Sequence, residues 1–180
     1  MLDLSKNRIR VIGHYVLLAR DAHPESDGSI VIPEDCRLGA CFGMVIEIGE
    51  KVESVKPKDR IMFHKNYTYL PFEQRRIAVT PDNTIIGIIK VMDKKEMLAP
   101  LGTYMVIQPE EGKKVVGGIE LPNDNEQAFG GLVMDVGPEC VEIEAGARVF
   151  YNHGLAISCA LGNSKLHIIT EEHILCQMKN

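Results

Sequence analysis

Five cysteines, six histidines and a few adjacent acids are the side chains of this 180-residue chain that could do chemistry. A zinc site needs Cys or His in close pairs, such as Cys-x-x-Cys or His-x-x-x-His. Cys36 and Cys41 stand alone with four residues between them, and Cys140, Cys159 and Cys176 are scattered. His14, His23, His64, His153, His167 and His173 are dispersed as well. No metal site is expected. An odd number of cysteines at irregular spacing fits reduced thiols, most of them small buried apolar side chains, better than a disulfide framework.

Covalent chemistry fares no better. Ser158-Cys159 has no base arranged beside it in the sequence, and no Gly-x-Ser-x-Gly elbow occurs. Neither a Walker loop nor a Gly-x-Gly-x-x-Gly turn opening a helix is present. The acid pairs Glu110-Glu111 and Glu171-Glu172 read as surface charge at turns, because neighbours on a strand face opposite sides. Asn152-His153-Gly154 reads as a turn with Gly154 supplying a positive φ. No catalytic residue and no cofactor are expected, and the chain is not read as an enzyme.

The tract over residues 64–76 mixes aromatic and basic side chains that could stack on single-stranded nucleic acid. The formal net charge is -5, however, and Lys and Arg are interspersed with acids rather than gathered into a stripe. Nucleic acid is therefore not an expected partner. Tyr67, Tyr69 and Phe72 read instead as a protein interface, since aromatic rings bury much area at low entropic cost. The first residues form no secretory signal, and no run approaches the roughly 20 apolar residues that cross a bilayer. A soluble chain without a membrane partner is expected.

The elements that must position these residues come in duplicate. Tyr15-Val16-Leu17-Leu18 recurs as Tyr104-Met105-Val106-Ile107, and Gly28-Ser29-Ile30-Val31-Ile32-Pro33 as Gly117-Gly118-Ile119-Glu120-Leu121-Pro122, both 89 positions on. The Phe42-Gly43 strand recurs from Phe129-Gly130-Gly131 with one residue of slippage. Residues 55–63 are echoed at 143–151, and 82–89 at 171–178. Five blocks in one order argue for duplication of a whole domain. Each copy consists of short Val-, Ile- and Leu-rich runs divided by Gly, Pro, Asn and Asp, the pattern of a small all-β barrel. Two tandem barrels are expected, over residues 1–92 and 99–180. Residues 93–98 look helical, stopped by Pro100, within a junction at 90–100 that spans at most about 35 Å.

The order of the blocks resembles the chaperonin-10 (co-chaperonin) family. Gly43-Met44-Val45-Ile46-Glu47-Ile48-Gly49 and Gly131-Leu132-Val133-Met134-Asp135-Val136-Gly137 are similar to its Gly-x-Val-x-x-Val-Gly strand. Residues 55–63 and 143–151 are similar to its Val-Lys-x-Gly-Asp-x-Val-x-Phe segment. Two departures stand out: Lys58 replaces the glycine in the first copy, and Ala147 replaces the aspartate in the second. Many members also carry a hairpin that roofs the ring. Only residues 50–54 and 138–142 occupy that interval here, so no roof is expected in either copy.

The resemblance implies that the loop after each first strand is a mobile segment docking on a chaperonin ring to cap its folding chamber. In an extended triplet the first and third side chains point the same way. Ile30 with Ile32, and Ile119 with Leu121, would form paired apolar knobs, with Val31 and Glu120 facing away. The alternative places these residues in a plain barrel strand. Ring arithmetic opens a second alternative: a homo-oligomer of three chains supplies six barrels, which suits a structural component of a viral capsid or tail. The expected partners are thus further copies of this chain, together with a chaperonin ring or viral structural proteins, in the cytoplasm or in a virion.

Overall fold

The computed structural model describes residues 9–21, 26–27, 30–31, 40–70, 77–92, 95–110, 115–116, 119–120, 128–161 and 164–178. The chain divides into two compact units, Met1–Lys90 and Val91–Asn180. The first contains β1 (Tyr15–Arg20), β2 (Ser26–Asp27), β3 (Ile30–Val31), β4 (Ala40–Ile48), β5 (Arg60–His64), β6 (Thr68–Tyr69) and β7 (Ile77–Pro81). β8 (Ile85–Met92) runs across the boundary. The second holds β9 (Lys95–Pro100), β10 (Tyr104–Pro109), β11 (Val115–Val116), β12 (Ile119–Glu120), β13 (Ala128–Val136), β14 (Arg148–Asn152), β15 (Ile157–Leu161), β16 (Ser164–Thr170) and β17 (Ile174–Gln177).

The strand orders are β6-β7-β1-β4-β5-β8-β9 and β15-β16-β10-β13-β14-β17, so that β6-β7-β1-β4-β5-β8 is repeated by the whole of the second order. The expected all-β fold of two tandem small barrels is what the chain forms. Even the irregularities repeat. The register slips between Leu17 and Leu18 and again between Val106 and Ile107, then between Met62 and Phe63 and between Phe150 and Tyr151. Such slips increase local twist, which a short sheet needs in order to curl round a core.

Equivalent positions fill the two cores. Val16, Leu18, Val45, Val55, Ile61 and Phe63 are buried in the first unit. Met105, Ile107, Val133, Ile143, Val149 and Tyr151 take the same places in the second. Each fully buried side chain of this size is worth roughly 1.5–3 kcal/mol against exposure.

Glycines set the closest approach. A Cβ on Gly49 would run into the carbonyl of Gly13, and one on Gly137 into the carbonyl of Gly102. Gly13 and Gly102 themselves turn at φ 64 and 56. The same contacts carry backbone bonds, Gly49 N to Tyr15 O at 2.9 Å and Gly137 N to Tyr104 O at 2.8 Å. Gly43 and Gly131 face β1 and β10 with equally little room. The two glycines occupy equivalent positions opposite Arg20 and Pro109, so Phe42 and Phe129 are not counterparts.

The turn before β5 and β14 explains the two departures from the family pattern. Lys58 adopts φ 77, the left-handed conformation that Gly146 takes at φ 90 in the second copy. Asp59 Oδ2 accepts the Lys56 N–H at 2.8 Å, a closure that Ala147 cannot make. Each copy thus keeps one of the turn's two devices. Residues 50–54 and 138–142 form turns without strands, as expected for copies that lack a roof hairpin.

Two expectations fail. Lys95–Pro100 is a strand and not a helix, and residues 93–94 lie outside the description. Leu98 and Pro100 are buried with Ala99 less so, a two-residue period that a charged sequence obscured. Gly154 is not at positive φ; its N–H instead donates to Asn152 Oδ1 at 2.9 Å, closing a 3-10 turn over His153–Leu155.

Each copy serves as the template for repairing the other. Lys58→Gly removes a left-handed non-glycine residue and should raise the stability of the first unit by about 1 kcal/mol. Ala147→Asp adds a turn-closing acceptor and should raise that of the second by roughly 0.5–1.5 kcal/mol. Gly137→Ala forces the strands apart and should cost about 1–3 kcal/mol. Thermal unfolding of the three variants checks all of these, and a neutral Gly137→Ala would refute the close approach.

Candidate functional site

The segments between β1 and β4 and between β10 and β13 are the candidate site. Their described residues form β2–β3 and β11–β12, two-stranded hairpins separate from the main sheets. Asp27 pairs with Ile30 and Val116 with Ile119; residues 28–29 and 117–118 lie outside the described residues.

The backbones of Ile30, Val31, Ile119 and Glu120 are extended, in two-stranded sheets apart from the main ones. Ile32, Leu121 and Phe72 lie outside the described residues.

Each loop leaves its barrel through a duplicated anchor. Asp21 N donates to Phe42 O and Glu110 N to Gly130 O, both at 2.9 Å. The carboxylates of the same two residues meet an arginine of the neighbouring strand. Arg60 Nη2 lies 2.9 Å from Asp21 Oδ2, and Arg148 Nη2 lies 2.8 Å from Glu110 Oε1. These pairs are partly exposed and are worth at most about 1 kcal/mol each. Their effect is to fix where the loop begins, not to stabilise the barrel.

Behind this shared anchor the two units differ. In the first, Arg20 at the end of β1 is only 5% exposed. Its guanidinium sits 5.0 Å from the Tyr67 ring centroid and 5.9 Å from that of Tyr69, and Nη1 donates to the Tyr69 hydroxyl. Tyr67 and Tyr69 meet edge to face at 5.1 Å, and Phe63 adds a second edge contact at 5.8 Å. Burial, then the hydrogen bond with Tyr69, pushes the Tyr67 hydroxyl above the usual phenol range. Tyr67 is half-buried in this cluster, whereas Tyr69 remains 43% exposed.

In the second unit, Tyr151 Oη and His167 Nδ1 are 2.8 Å apart and both residues are buried. His153 lies with its ring centroid 5.0 Å from that of His167 and stacks on Phe129 at 4.5 Å. Burial pushes the Tyr151 hydroxyl up to about 12. Burial also lowers the His167 imidazole, and the charge of His153 lowers it further. Neither cluster was legible in the sequence. Arg20 follows Val16 and Leu18 on the inward period of β1, which was the available signal, but a terminal arginine reads as exposed. His153 and His167 are brought together by the β14–β15–β16 fold-back alone.

The remaining candidates play structural parts. Cys41 and Cys159 are buried, Cys140 is half-buried and Cys176 is exposed; all four are free thiols, and Cys36 lies outside the described residues. Burial raises the Cys159 thiol to about 11, so it is held as the unreactive protonated form. Glu171 accepts the N–H groups of Val141, Glu142 and Ile143 at 2.7–3.1 Å, which holds its carboxyl below the usual range. It closes a turn. Among the described residues no group of three or more His, Cys, Asp or Glu could hold a metal ion, and no helix is long and apolar enough to cross a membrane.

Comparison with curated proteins found no match. The family model for the chaperonin 10 kDa subunit matches twice, over residues 8–89 and 97–178. These two stretches contain the two main sheets and both anchored loops. With nearly its whole length accounted for in this way, the chain belongs to the chaperonin 10 kDa subunit family and carries two tandem copies of that domain.

Proposed function

We propose that the protein is a non-catalytic co-chaperonin, needing no cofactor, whose two loops per chain dock on a chaperonin ring and cap its chamber. The supporting observation is the duplicated hairpin, carried outside the main ladders and anchored at its base by the same backbone bond and ion pair in both copies. A loop that orders on binding makes each contact weak and reversible, and several loops on one assembly restore affinity through multivalency. Ile30 with Ile32 and Ile119 with Leu121 would supply the apolar contacts, and Tyr69 with Phe72 a contact between neighbouring barrels.

A second reading has its own support. Tandem copies without roof hairpins, with only turns at 50–54 and 138–142, also suit a structural ring in a virus assembly. Three chains would give six barrels, and such a ring would need no chaperonin.

Replacing Ile119 and Leu121 by Ser separates the readings. Under the co-chaperonin reading, the variant keeps the thermal midpoint of the parent. It loses binding to a chaperonin ring in the presence of ATP by at least about tenfold, as expected when about 1.5–3 kcal/mol of apolar contact is removed per side chain. The parent's loops should also become protease-resistant near Gly28 and Gly118 only when the chaperonin is present. Unfolding of the variant, or a parent with no affinity for the ring, would refute the co-chaperonin reading.

A further inference from the structure

The return of the second loop into its barrel is held by residues that the first unit lacks. On the far side of the second loop, β13 begins with Ala128-Phe129, which pair with Asn152 and Tyr151 of β14. Phe129 is stacked on His153, the first residue of the turn that leads to β15. His153 in turn faces His167, which is hydrogen-bonded to Tyr151. In the first unit the positions of Tyr151 and His167 are occupied by Phe63 and Ala78, so this polar chain is an addition to a fold that does without it.

The proton arrangement follows from burial. A buried phenol held in its neutral form is the natural donor, so Tyr151 donates to His167 Nδ1 and the imidazole proton sits on Nε2. Around His167, β14 presents Tyr151, the following turn presents His153, β13 presents Phe129, and Ile107 of β10 and Ser158 of β15 lie opposite in register. Among the described residues, the hydrogen bond and ring contacts of His167 involve no carboxylate, Lys or Arg. A second proton on His167 therefore meets no anion in these contacts. It forces the Tyr151 hydroxyl to turn round, and it places a cation beside His153, whose ring centroid is 5.0 Å away.

We infer that the His153–His167 pair is a proton-operated latch: mild acidification separates the two rings, loosens the β13–β14 corner and releases the foot of the second loop. This regulates the docking loop proposed above and rests on that reading for its use, though not for its existence. The sign is fixed by linkage. His167 binds its proton less readily when buried than when open, so opening is favoured as pH falls below about 6.5 and indifferent above it. The open population should rise by up to about tenfold per pH unit in that window.

The test needs the full chain alone, with no chaperonin, so its failure is distinct from a failure to dock. The ring signals of His167 and the backbone amides of residues 128–130 are followed by NMR from about pH 7.5 to about pH 5. The expected result is that the amides shift or broaden with the midpoint of His167. The double variant Tyr151→Phe with His167→Ala installs the first unit's residues and should abolish the response. It leaves His64 in place, whose imidazole in the first unit is also lowered by burial. If the double variant fails to fold, Tyr151→Phe alone should move the His167 midpoint and the amide midpoint together. Amides at 128–130 that ignore the titration of His167, a response that persists in the double variant, midpoints that part company in Tyr151→Phe, or a His167 that stays neutral down to about pH 5 would each overturn the latch.

Discussion

The close approach of two backbone segments at glycine is the constraint on which the architecture depends. Where β4 ends, Gly49 lies against Gly13 with no room for a side chain, and where β13 ends, Gly137 lies against Gly102 in the same way. That contact aligns the Gly49 and Gly137 amides on the carbonyls of Tyr15 and Tyr104. Once the ends of β1 and β4 are set, Val45 can exchange bonds with the turn at Lys58-Asp59, and Val133 with the turn at Gly146-Ala147. A dense core follows because the inward positions of three strands then face one another.

The same frame explains why the loops can be variable while their feet cannot. Asp21 and Glu110 are the last residues tied to the ladder, each by a backbone bond and an ion pair. Beyond them, β2 pairs with β3 and β11 with β12 in sheets of their own. An element held at its base and hydrogen-bonded to itself can differ in side chains between copies without disturbing the barrel. The differences that reach the barrel include the clusters behind each foot, Arg20 with Tyr67 and Tyr69 in one copy, Tyr151 with His153 and His167 in the other.

Much of this was legible in the residues. The duplication could be read because Tyr15–Leu18 and Tyr104–Ile107 share a pattern, and because glycines and prolines recur at matching gaps. The one-residue slippage after Phe42 and Phe129 was visible because the glycines of Gly43–Gly49 and Gly131–Gly137, short of space in the fold, keep the same spacing. The turn at Lys58 was recognised as irregular, and its φ of 77 is the physical reason. What escaped was set by long-range packing. Lys95–Pro100 opens with two charged residues and an exposed methionine before its buried leucine, so its local preference pointed to helix while its surroundings made it a strand. The histidine cluster joins a turn residue and a strand residue 14 positions apart, which no spacing rule anticipates.

Backbone amide exchange measured residue by residue on the full chain bears most directly on the claim that both halves close into equivalent barrels with their loops outside the core. The account predicts matched slow exchange at Val45 and Val133, Gly49 and Gly137, and Lys58 and Gly146, with much faster exchange at the outward edges of residues 26–31 and 115–120. Slow exchange throughout either hairpin, or protection of these ladder amides in one half alone, would contradict it.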